Sequence, residues 1–204
     1  VSQISPVLLV FYILSKAFSV EAPRLSEFKI LTGSKKIYEG KVISLRIDKI
    51  QLSSGDVFER EVIEHPGAVA MLPFLDDGRL LLIKQYRHPV GEVLLEIPAG
   101  TLHKNEDPKD CARRELIEET GYEAGKIEEL ISCFLAPGYS SEKIHLFHAS
   151  ELRKVGDSPD IDEMIELYPT PIEKVQDMIM TGEITDAKTI SGISYLLLMS
   201  KSKN

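Results

Sequence analysis

The stretch GTLHKNEDPKDCARRELIEETGY, Gly100 to Tyr122, decides how the chain is read. Asp107 followed by Pro108 marks a helix start: an Asp side chain accepts from the free N–H groups of a first turn, and Pro fits the first helical position. Gly121 marks the end, since glycine tolerates the left-handed conformation that often closes a helix. A helix is therefore expected from about Pro108 to Thr120. Residues three and four apart share a helix face, which brings Glu115, Glu118 and Glu119 together. Cys111, Ala112 and Leu116 supply an apolar side for packing. Like charges four apart cost on the order of a few tenths of a kcal/mol, and acids near a helix C-terminus oppose its dipole. Helix propensity thus gives no reason for the cluster, whereas a hard divalent cation does, because Mg²⁺ is held by carboxylates together with waters and substrate phosphate. The alternative is a solvated acidic face with Arg114 and Glu118 as an i,i+4 pair.

The spacing favours the cation. Gly100, five residues, Glu106, seven residues and then Arg114-Glu115-Leu116-Ile117-Glu118-Glu119-Thr120-Gly121-Tyr122 resembles the signature of the Nudix hydrolases, G-x5-E-x7-R-E-U-x-E-E-x-G-U, where U is a bulky apolar residue. Every fixed identity matches, and Tyr122 occupies the last apolar position. The resemblance implies an α/β Nudix fold, a mixed β-sheet sandwiched between α-helices. It also implies that Glu115 and Glu119 hold Mg²⁺, or Mn²⁺ or another divalent cation, with Glu118 a further ligand and the carbonyl of Ala99 an additional oxygen. Arg114 would orient the carboxylates, and Glu106 would anchor the loop to the helix.

Composition agrees with a soluble enzyme. The 204 residues suit one domain with a small extension, at 43% hydrophobic and 27% charged. A formal charge of −8 and the lack of any basic run argue against nucleic-acid binding. Cys111 and Cys133, the two cysteines, stand outside any metal-type spacing and read as buried free thiols of a reducing, cytoplasmic setting. Near the N-terminus, Val7 to Leu14 is apolar but far shorter than the roughly 20 residues a membrane span needs. Ala17 and Ser19 give the segment a signal-peptide flavour without a basic leader, and a packing extension, or translated sequence upstream of the true start, is the preferred reading. No membrane association is expected.

From Phe28 the chain alternates between strands and turns. KVISLRIDKIQL and VFEREVIEH, joined by SSGD, read as a hairpin; AVAMLPFL and RLLLIKQYR, joined by DDG, read as a second. EVLLEIPAG leads into the acidic helix, and further strands are expected around Ile127–Leu135, around Lys143–Ala149 and in EMIELYPTP. Thr170-Pro171-Ile172-Glu173 reads as a capping box opening a helix with Ile172, Val175 and Ile179 on one side. A last helix from about Asp186 turns Ile190, Ile193 and Leu197 inward. These elements divide the chain into an N-terminal extension (1–27), an N-terminal antiparallel β region suited to dimerisation (28–66) and the catalytic domain (67–204).

Resemblance extends from about Tyr38 to Leu198. GKVISLRIDKIQL, REVIEHPGAVAMLPF, KQYRHPVGEVLLEIPAG, LAPGYSSEKIHLF and GEITDAKTISGISYLLL are similar to the ADP-ribose pyrophosphatase branch of the Nudix hydrolases, and Pro137-Gly138 past the acidic helix is a mark of that branch. The implied reaction is hydrolysis of a nucleoside diphosphate, ADP-ribose, to AMP and ribose 5-phosphate by a homodimer. Other nucleoside diphosphate sugars, dinucleotides, or a sensor without turnover are the alternatives. Arg60 and Arg87 match positions that bind the diphosphate or terminal ribose, where guanidinium forks suit phosphate oxygens, although each could equally be a salt bridge. Gly138 belongs to the substrate loop, and Tyr38 is the nearest aromatic for stacking on adenine. A general base must be a free carboxylate on another element. Glu163 aligns best, with Glu166 and Asp162 behind it in the acidic loop that also holds Asp160, and Glu118 is the first suspect should the loop not supply it.

Overall fold

A computed structural model describes residues 28–30, 33–52, 55–156 and 165–201. The extension at 1–27 and the loop acids Asp160, Asp162 and Glu163 lie outside the described residues. Contacts divide the chain into two units, residues 1–35 with 47–60, and residues 36–46 with 61–204.

The N-terminal strands are β1 (Phe28–Ile30), β2 (Lys35–Glu39), β3 (Ser44–Leu52) and β4 (Val57–Glu64). β3 pairs with the other three, so the hairpin expected around SSGD is present as β3–β4. β1 runs antiparallel to β3, with Phe28 opposite Leu52.

Two further sheets and three helices build the second unit. The first is mixed, in the order β8 (Ala99–Thr101), β5 (Ala68–Pro73), β10 (Lys143–Lys154) and β9 (Tyr122–Phe134), with β10 parallel to β5 and antiparallel to β9. The other is antiparallel, in the order β11 (Ile165–Thr170), β6 (Leu80–Arg87) and β7 (Glu92–Glu96). The expected pairing of β5 with β6 is therefore a correction, since the two strands lie in different sheets and meet through their side chains, while Phe74, just past β5, forms an isolated antiparallel bridge with Leu80. Every residue of β5 is buried. A strand covered on both faces carries no alternation to reveal its partner.

Alternation still directs the packing. Val69 and Met71 on one face of β5 join Cys111, Ala112 and Leu116 of α1 (Pro108–Thr120). Ala68, Ala70 and Leu72 on the other face join Leu80 and Leu82 of β6, Val175 and Met178 of α2 (Ile172–Met180), and Ile193 of α3 (Ala187–Lys201). The mixed sheet is thus covered on both faces, as expected. Gly192 lets α3 lie close to it, since a Cβ there would stand 2.9 Å from Leu72 Cδ1.

α1 begins and ends where the local signals place it: Asp107 accepts from the Lys109 N–H at 2.8 Å, and Gly121 closes the helix at φ 71°. The capping box on α2 is a correction. Pro171 occupies the N-cap and makes no side-chain cap bond, while the Thr170 hydroxyl donates to the Tyr168 carbonyl at 3.0 Å. β9 also starts directly after Gly121 rather than at Ile127. Cys111 is buried and Cys133 only partly so, and both are free.

Candidate active site

The acidic helix meets the β7–β8 turn at its peptide groups. Glu119, 4% exposed, accepts the Ala99 N–H through Oε2 at 2.8 Å. The Glu115 carboxyl lies where a side chain on Gly100 would start, 1.8 Å from an ideal Cβ, so this site requires glycine. Burial raises the pKa of Glu115, against the pull of Arg114. The third acid of the face, Glu118, is exposed and receives Arg114 Nη1 at 2.8 Å.

Arg114 spans the acids. Its Nη1 also donates to Glu115 at 2.7 Å, and its Nε and Nη2 form a fork on Glu106 at 2.9 and 3.0 Å. Glu106 in turn accepts the His103 N–H at 2.8 Å. Bonds from Arg114 and from that N–H hold the Glu106 carboxyl down to about 2. Cys111, beneath the same guanidinium, is pushed up to about 12, chiefly by burial.

Ala99, Gly100, Glu115 and Glu119 open onto a cleft of about 900 Å³ that Arg87 and Gln85 of β6 also line. A smaller cavity of about 310 Å³ shares Ala99, Gly100 and Arg87 and reaches Asp186 and Lys188. The buried Oε1 of Gln85 has no hydrogen-bond partner among the described residues. Arg87 donates Nε and Nη2 to Glu96 at 2.9 and 2.6 Å. Glu96, 1% exposed, also receives Lys188 Nζ. Burial pushes the Glu96 carboxyl up, but bonds from these two cations outweigh it and hold it below the usual range. Arg87 therefore makes the salt bridge weighed as its alternative reading while also lining the cleft.

The remaining expected site residues are placed less centrally. Tyr38 on β2 is 58% exposed and is not among the lining residues. Gly138 is exposed in the β9–β10 loop, which is tied to β4 by the Ile63 N–H to the Tyr139 carbonyl (2.8 Å) and the Ser141 N–H to the Ile63 carbonyl (2.9 Å). Arg60 lies in the other unit, with its guanidinium 5.5 Å from the Phe58 ring centroid. Glu166 faces Lys84 across β11–β6 and pairs with it at 3.1 Å. Sequence reading missed Glu96, Asp186, Lys188 and Thr189 as individuals, although the EIPAG and TDAKT stretches were singled out. The one available signal was a Glu ending an otherwise apolar strand run.

The donor set around Ala99 consists of carboxylates and a peptide carbonyl, the oxygen ligands that hard divalent cations take. Among the described residues no three acids, histidines or cysteines already converge as a metal cluster; Arg114 and the Ala99 N–H engage the carboxylates instead. The chemistry of the set fits a cation all the same, because Glu115, Glu119 and Ala99 bring hard oxygen donors onto one cleft.

Residues 64–188 match the NUDIX domain. The chain belongs to the Nudix hydrolase family. This Nudix chain is 39% identical over 168 residues to the ADP-ribose pyrophosphatase of Bacillus subtilis (strain 168), covering 81% of this chain and 91% of that protein. It is 38% identical over 173 residues to the methanol dehydrogenase activator of Bacillus methanolicus, covering 84% and 94%. Among solved structures, an ADP compounds hydrolase superposes with a TM-score of 0.77 at 22% identity, covering 90% of this Nudix chain and 99% of that one, a likeness of fold. Nudix hydrolases generally use divalent cations.

Proposed function

We propose that this chain hydrolyses the pyrophosphate bond of ADP-ribose, yielding AMP and ribose 5-phosphate, with Mg²⁺ as the preferred cation. The observation that carries the reading is the convergence of Glu115, Glu119 and the Ala99 peptide with Arg87 on one cleft. The 39% identical relative named ADP-ribose pyrophosphatase supports the choice of substrate.

Glu115, Glu118, Glu119 and the Ala99 carbonyl would hold the cation, which when bound neutralises diphosphate charge and acidifies water. Arg87 binds a diphosphate oxygen; with Nε and Nη2 given to Glu96, its other N–H groups serve the ligand. Arg114, bonded to both Glu115 and Glu118, orients the acids of α1. Water attacks one phosphorus, the P–O bond of the anhydride breaks, and Glu163 takes the proton. Glu166 is the described alternative, and its bond to Lys84 makes it the less available base. Arg60, Gly138 and Tyr38 complete substrate binding in this reading.

The working form is a homodimer in the cytoplasm. Exposed Ile37, Tyr38, Val42 and Ile43 around the β2–β3 turn support a subunit contact, and the free thiols of Cys111 and Cys133 support a reducing compartment. No described helix is long and apolar enough to cross a membrane. The test is a kcat/KM ranking of ADP-ribose, GDP-mannose, diadenosine diphosphate and NADH with Mg²⁺. ADP-ribose should lead, and a lead for any other substrate overturns the assignment.

A further inference from the structure

The peptide run Glu96-Ile97-Pro98-Ala99 between β7 and β8 is held from outside the acidic helix as well as from within it. Met71 N–H donates to the Pro98 carbonyl at 2.9 Å. Ile97 N–H donates to Thr189 Oγ1 at 2.9 Å, and that hydroxyl donates to Asp186 Oδ2 at 2.6 Å. Asp186 also accepts the Thr189 N–H at 2.9 Å, which caps the start of α3, and its other oxygen pairs with Lys188 at 3.0 Å. Lys188 reaches on to Glu96, which grips Arg87 with both oxygens. Thr189 and Glu96 are 0% and 1% exposed, so they act on a ligand only through other groups.

We propose that Thr189 and Glu96 are positioning residues through which the start of the C-terminal helix presets the site, Thr189 fixing the peptide run that ends at Ala99 and Glu96 fixing the guanidinium of Arg87. The proposal rests on the reading of Ala99 as a cation ligand and Arg87 as a phosphate ligand. The two residues have separable consequences. Without the Thr189 hydroxyl the buried Ile97 N–H loses its partner and the run keeps only its anchors at Pro98 and at the Ala99 N–H, which shifts the Ala99 carbonyl. Replacing the Glu96 carboxylate by an amide sets an NH₂ group against Arg87 or Lys188, both pure donors, and turns the guanidinium away.

The test measures binding to the full-length protein without turnover, using Mn²⁺ and ADP as calorimetric probes. Thr189→Val should weaken Mn²⁺ about tenfold or more, the size typical of losing an outer-shell partner, and Thr189→Ser should restore it. Glu96→Gln should weaken ADP while leaving Mn²⁺ nearly unchanged. Val175→Ala, a core change on α2, is the control that lowers Tm without altering either affinity. If Thr189→Val and Glu96→Gln lose only stability, as the control does, the proposal is overturned. Should Glu96→Gln not fold, the double variant Glu96→Gln/Lys188→Met, with one cation facing one amide oxygen, takes its place. Should Thr189→Val not fold, the Glu96 arm decides alone. A wild type that binds both probes but leaves ADP-ribose intact would fail the functional reading and not this one.

Discussion

The Oε2 of Glu119 lies 2.8 Å from the backbone nitrogen of Ala99, across 20 residues of sequence. One bond therefore ties a carboxylate of the acidic helix to the residue whose carbonyl is assigned to the same cation. Glu119→Gln keeps an oxygen for the Ala99 N–H and removes the charge. We expect a fold with unchanged Tm and a turnover lowered roughly 10²-fold or more, the magnitude lost with a group that stabilises transition-state charge. Near wild-type kcat at saturating Mg²⁺ would take Glu119 out of the cation site.

Gly100→Ala tests the neighbouring contact. A Cβ there would meet the Glu115 carboxyl at 1.8 Å, and the flexible end of that side chain must swing away. The displacement costs little stability because the three nearest atoms all belong to the end of that side chain, but it removes the carboxylate from its place. Turnover should fall about 10²-fold, as for an ångström-scale misplacement of a reacting group, while Tm moves by only a few degrees. Loss of folding without a separable loss of turnover would contradict this.

Arg87→Ala should raise KM more than it lowers kcat, since a phosphate contact made equally in ground and transition states is uniform binding. Loss of one charged hydrogen bond is worth about 1.5–3 kcal/mol. Because Arg87 also holds the buried Glu96, the variant should lose stability too, and Lys188→Met added to it should lose more. An unchanged KM in steady-state kinetics would assign Arg87 to the salt bridge alone.

Glu106 gives a pH dependence with a definite sign. Its carboxyl is held from 4.5 down to about 2 in the folded chain, first by Arg114 and then by the His103 N–H. A folded pKa below the unfolded one contributes stability that is full above about 4.5 and is lost as pH falls toward about 2. Glu106→Gln should therefore lower Tm at pH 7, with the gap to wild type closing across that window. A gap that stays constant with pH would mean that the Arg114 fork contributes no net charge effect.

What the sequence made legible was local. Asp107-Pro108 and Gly121 bound α1 because caps and glycine act within a turn of the residues they signal. Glu115, Glu118 and Glu119 share a face because helix geometry leaves no choice. The expected pairing of β5 with β6 fails because β5 is buried along its whole length and β6 over its first four residues, so no face pattern separates a hairpin from two strands in different sheets. The cap at α2 was off by one because Pro171, which has no N–H of its own to satisfy, takes the place that Thr170-x-x-Glu173 suggested. Glu96 and Lys188 were not legible as a pair at all: they meet across 92 residues, and only the folded sheets bring β7 to the start of α3.

The central claim is the identity of the bond broken. Purified protein incubated with ADP-ribose and Mg²⁺, with products resolved by anion exchange and mass spectrometry, should give AMP and ribose 5-phosphate in equal amounts, and none when Mg²⁺ is chelated. Release of ADP with free ribose, or ADP-ribose left intact while another nucleoside diphosphate sugar is consumed, would contradict it.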